Sequence, residues 1–61
     1  METRTAHIKR LLEIHRGNLH KLQAQIAAFG LHAPPHLLLQ AEDEENAIRE
    51  LETELKKRQK P

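Results

Sequence analysis

The first half of the chain places Ile8, Leu12, His15, Leu19, Leu22, Ile26 and Phe29 at gaps of 4, 3, 4, 3, 4 and 3 residues. Alternating threes and fours follow one face of an α-helix, so this stripe predicts a helix over about residues 5–29. Written as heptads, Leu12, Leu19 and Ile26 share one seam position, and Ile8, His15, Leu22 and Phe29 share the other. Only His15 interrupts an otherwise apolar line. A weaker stripe follows at Leu37, Ala41, Glu44, Ile48, Leu51, Leu55 and Arg58, with Leu38 alongside, and predicts a second helix over about 35–59.

The break between the stripes is written in Gly30, Pro34 and Pro35. Gly30 can take the left-handed backbone of a residue just past a helix end, which would let Leu31 pack back on Ile26. The prolines forbid continuation, and Pro35 also suits a first helical position, where its missing N–H is no loss. A hinge of about five residues, 30–34, makes the two helices antiparallel neighbours. Folding there sets Phe29 near Leu37, Ile26 near Ala41, Leu19 near Ile48 and Leu12 near Leu55. Leu22 then faces Glu44 and Glu45, and His15 faces Leu51 and Glu52. The expected architecture is all-α: one antiparallel, coiled-coil-like hairpin over residues 1–61, able to assemble into a helical bundle.

Composition agrees. The chain has no Val and four Ile, whereas a sheet calls for β-branched and aromatic residues. Its 61 residues include no cysteine, so neither a disulfide nor a thiolate metal site can staple it. The absence of cysteine fits a reducing, cytoplasmic setting. No apolar run approaches the ~20 residues that span a bilayer, and no signal-peptide core opens the chain. Net charge is +1. Residues 1–30 hold five Lys/Arg against two acids (+3), and residues 31–61 hold five against seven (−2), so the halves are electrostatic complements. Within the second helix, Glu45/Arg49, Glu52/Lys56 and Glu54/Arg58 stand at the i,i+4 spacing of helix ion pairs.

Two helices share one line of contact, and side chains on it stay half wet. Chains this short usually need a staple or a partner. A second surface is on offer: Ile14, Gly17, Ala24 and Ala28 line an adjacent face of helix 1, and Leu11, Leu38 and Leu39 lie outside the seams. The expected interface residues are therefore Ile8, Leu11, Leu12, Ile14, His15, Leu19, Leu22, Ile26, Phe29, Leu37, Leu38, Ala41, Ile48, Leu51 and Leu55. A twofold dimer of hairpins making a four-helix bundle is the simplest closed assembly.

Chemistry beyond contact finds little support. His7, His15, His20, His32 and His36 do not take the spacing of a ligand set, so no metal is expected. His15 reads as a core histidine bonded to Glu52 or a backbone carbonyl, or as a register-fixing or pH-sensitive polar position. Residues 42–45, Glu-Asp-Glu-Glu, read as a solvated face or as partners for Arg16 or Lys21. There is no Ser or Cys nucleophile and no Gly-rich phosphate loop, so neither catalytic residues nor a cofactor are expected.

The run Leu11-Leu12-x2-His15-x3-Leu19-x2-Leu22-x2-Gln25-x-Ala27-x-Phe29-Gly30, then Pro34-Pro35-His36, then Glu42-Asp43, resembles a short helical-hairpin module of bacterial multidomain signalling and defence proteins. That module accompanies NACHT or STAND-type NTPase, TIR or caspase-like domains. The resemblance covers about residues 9–56. It departs at Ala33, where such hinges more often have a capping Thr, and at Gln40-Ala41, which is less apolar than usual. It implies a non-catalytic adaptor that joins like hairpins. The alternative is a small RNA-binding hairpin dimer, with Arg4, Lys9, Arg10, Arg16 and Lys21 as its basic face. The near-neutral charge and the absence of stacking aromatics argue against that alternative.

Overall fold

The computed structural model describes residues 3–59. Two helices make up the fold: α1, Arg4–Phe29, and α2, Pro35–Gln59, joined by a short 3-10 turn, Gly30–His32. They pack antiparallel as a hairpin, and the body measures 46 × 19 × 14 Å.

Each helix end has a local cause. The Thr3 backbone is extended (φ −76°, ψ 160°), and its hydroxyl oxygen accepts the Ala6 N–H at 3.0 Å, satisfying one of the unpaired donors of the first turn. At the other end of α1 the Gly30 N–H still donates to the Ile26 carbonyl. Gly30 itself then turns to φ 63°, ψ −132°. This is near the first central position of a type II′ turn, a region that side chains disfavour. Its ψ departs from the left-handed helical value, so the chain enters the 3-10 turn and Leu31 is fully exposed (102 %). The expected packing of Leu31 on Ile26 does not form. α2 starts on Pro35, with the Leu37 N–H reaching back to the Pro34 carbonyl at 3.1 Å. Lys56, Lys57 and Arg58 close it, where cations suit the negative end of the helix dipole.

The core is short. Ile8, Leu12, Leu37 and Ala41 are buried, and Ile8 completely so. Leu19, Leu22, Ile26, Ile48, Leu51 and Leu55 are half-buried along the line between them. Leu11 and Ala47 add a half-buried flank.

Arg4–Glu54, His15–Glu44 and Arg16–Glu52 pair across the two helices. Leu12 and Leu55 line one groove between the helices, and Leu22 and Glu44 line another. Phe29, at the end of α1, stays half exposed.

Candidate association surface

The polar contacts of the hairpin join the basic helix to the acidic one. Arg4 makes a forked contact with Glu54, Nε to Oε1 at 3.2 Å and Nη2 to Oε2 at 3.3 Å. Arg16 Nη2 donates to Glu52 Oε2 at 2.8 Å. Arg58 also reaches Glu54, at 3.3 Å, one turn along α2. Hydrogen bonding from Arg4 lowers the Glu54 carboxyl from its ordinary value; desolvation opposes it, and the charges of Arg4 and Arg58 add to the lowering. The other i,i+4 partners are drawn elsewhere, Glu52 to Arg16 and Arg49 to the Asn46 amide oxygen at 3.4 Å. Arg4 and Arg16 of α1 are thus engaged by acids of the same chain, which weakens the basic face an RNA would need.

His15 Nδ1 lies 2.5 Å from Glu44 Oε2, with both side chains largely covered (29 % and 21 % exposed). The partner is Glu44, not Glu52, Leu51 or a backbone carbonyl. What looked like an off-pattern acid in the second stripe is thus the complement of the off-pattern histidine in the first.

The residues expected at an interface divide into two sets. Those on the seams, Phe29 excepted, are spent on packing α1 against α2, as are Leu11 and His15. Others remain uncovered: Ile14 (52 % exposed), Phe29 (51 %) and Leu38 (49 %), joined by Leu39 (60 %) and Leu31. Leu39 is one of the leucines already read as lying outside the seams. Leu31 is the member the sequence reading placed elsewhere, and recognising that a 3-10 turn would turn it outward would have found it. Gly17, Ala24 and Ala28 are exposed as well, and no atom lies within 4 Å of where a Gly17 Cβ would stand.

Between the helices at the open end runs a shallow groove of about 750 Å³. Leu12 and Leu55 contribute its apolar surface, with Lys9, Arg16, Glu52 and Lys56 around them. A smaller trough of about 500 Å³ lies toward the hinge between Leu22 and Glu44. Among the described residues no group of three His, Cys, Asp or Glu side chains converges as a metal-ligand set, and no helix is long and apolar enough to cross a membrane.

Fold and surface together define a two-helix hairpin that leaves large apolar side chains in water. No family model matches the chain, and no curated protein or solved structure is found similar to it.

Proposed function

We propose that this hairpin is a non-catalytic association module that completes its core with another copy of itself, in the first instance as a twofold dimer forming a four-helix bundle. The observation that carries the reading is incomplete burial. A compact chain of 7.1 kDa exposes about 4,100 Å², whereas this one exposes 4915 Å² and buries only four side chains among the described residues. Its radius of gyration, 14.2 Å, likewise exceeds the ~10.5 Å of a globule of this length. Five large apolar side chains stand in the water that a second hairpin would displace. Both grooves are open troughs, which favours contact over chemistry that excludes water.

The resemblance to hairpins of bacterial signalling and defence proteins supplies the setting. There the module would act in the cytoplasm, within a longer protein, and recruit a like hairpin on another chain.

Light scattering coupled to chromatography, over a concentration series with helicity followed in parallel, tests the reading. The expected result is a mass near twice 7.1 kDa at high concentration, with mass and helicity falling together on dilution. A chain that stays fully helical and monomeric at every concentration would refute it.

A further inference from the structure

Charge is missing from one end of the hairpin. The chain is 31% charged, yet all 10 Lys/Arg and all 9 Asp/Glu lie outside residues 22–41. That stretch comprises the last two turns of α1, the hinge and the first two turns of α2. Charge resumes at Lys21 on α1 and at Glu42 on α2, each roughly 11 Å from the hinge at 1.5 Å per residue. Lys21, Asp43 and Glu44 line one trough, so the boundary is level across the two helices. Phe29, Leu31, Leu38 and Leu39 are exposed within this end, and of the exposed large apolar side chains only Ile14 lies outside it. Its polar side chains are the carboxamides of Gln23, Gln25 and Gln40 and two imidazoles.

We infer that this uncharged end is where the chain meets a second copy of itself. Two hinge ends lie side by side and antiparallel about a twofold axis, overlapping as far as Lys21 and Glu42. This rests on the self-association proposed above and names the surface that performs it.

Three observations support the choice of occupant. First, a twofold contact sets a patch against its own image. A patch of one sign repels its image, whereas leucine, phenylalanine and carboxamides do not. A carboxamide both donates and accepts hydrogen bonds, so glutamine can pair with glutamine. Second, the charge boundary sets the extent of overlap. About two turns cover the exposed apolar side chains at the hinge end of both copies. Further sliding would carry each tip over the other's Lys21 and Glu42 and strip water from them. Toward the open end the two signs are mixed, and Arg4 and Arg16 are already bound to acids of their own chain. Third, residues 42–45, Glu-Asp-Glu-Glu, stand just behind the tip. An anionic lipid surface would repel that acidic collar as the tip approached it.

Substitutions in the full 61-residue chain test the surface, with helicity confirmed by circular dichroism. Leu31 is fully exposed (102 %), so replacing it removes no packing within the hairpin. Leu31→Gln with Leu39→Gln should weaken the dimer at least about tenfold, read by sedimentation near pH 8, where imidazoles are neutral. Ile14→Gln, which alters the exposed apolar side chain outside this end, should leave the dissociation constant unchanged. Raising salt from about 0.05 to about 0.5 M should change the wild-type constant less than about threefold, because no charge is paired across the contact.

A dimer that withstands the double change, that Ile14→Gln weakens equally, or that salt weakens tenfold or more overturns this surface while leaving self-association standing. A wild-type chain that never associates refutes both. Flotation with phosphatidylcholine vesicles tests a neutral membrane: binding that the double variant loses while its dimer persists would assign the tip to lipid and overturn the proposal.

Discussion

Replacing Gly17 by Ala adds one methyl group to an exposed turn in the middle of α1, and the structure says what that methyl would touch. Beyond the backbone of its own helical turn and its two chain neighbours, no atom lies within 4 Å of the new Cβ, and the backbone there is ordinary helix. The change is then governed by helix propensity alone, worth about 0.8–1.0 kcal/mol in favour of Ala. Unfolding entropy near 2.1 cal/mol/K per residue gives about 130 cal/mol/K for this chain, so the gain corresponds to a rise in Tm of about 7 °C. In a dimer both the gain and the entropy double, and the shift is the same. With open space at Gly17, the dissociation constant of a dimer should not change either. Thermal melts by circular dichroism at two protein concentrations, with sedimentation at each, measure both quantities. A Tm that stays or falls, or a weakened dimer, would mean that the methyl meets a neighbour the single hairpin does not contain. The small-residue stripe of Gly17, Ala24 and Ala28 would then be the true contact, and reasoning from propensity would fail.

Three further perturbations check other parts of the structure. Gly30→Ala has equally open space around its Cβ but a backbone at φ 63°, so its cost is torsional, about 1–3 kcal/mol, and the melt should move down where that of Gly17→Ala moves up. Glu54 gains its depressed carboxyl chiefly from Arg4. A group depressed on folding stabilises the fold above its unfolded value and loses that contribution as pH falls through its folded value. Arg4→Gln should therefore raise the Glu54 titration midpoint, read by carbon NMR of the side-chain carboxyl, and soften the acid side of the stability profile; an unmoved midpoint contradicts the forked contact. For the polar pair at the seam, His15→Leu alone leaves the Glu44 carboxylate largely covered with no histidine opposite. The double change to Leu at 15 and 44 should melt higher than either single variant, and a double-mutant cycle without coupling would show that the two side chains do not interact.

The hairpin itself was legible because its signals are local and redundant. A seam of threes and fours from Ile8 to Ile26, a glycine, and two adjacent prolines each state one fact about the backbone, and they agree. The polar partner at the seam was not legible to the same depth. His15 pairs with Glu44 instead of Glu52, a choice set by side-chain reach between the helices that seam spacing does not rank. The side-chain ends escaped for a related reason. Glu52 could bond Lys56 on its own helix or Arg16 across the seam, and spacing alone does not rank a local exposed pair against a distant one. Likewise Leu31 was assigned to a helix-end motif whose backbone Gly30 does not adopt.

Because the chain doubles back once, Thr3 and Gln59 lie side by side at the end away from the hinge. Two hairpins docked antiparallel about a twofold axis would send those ends outward in opposite directions, on the order of the 46 Å length of the rod apart. Anything tethered to them would be yoked into one particle yet held at arm's length, so that the module would act as a spacer as much as a fastener.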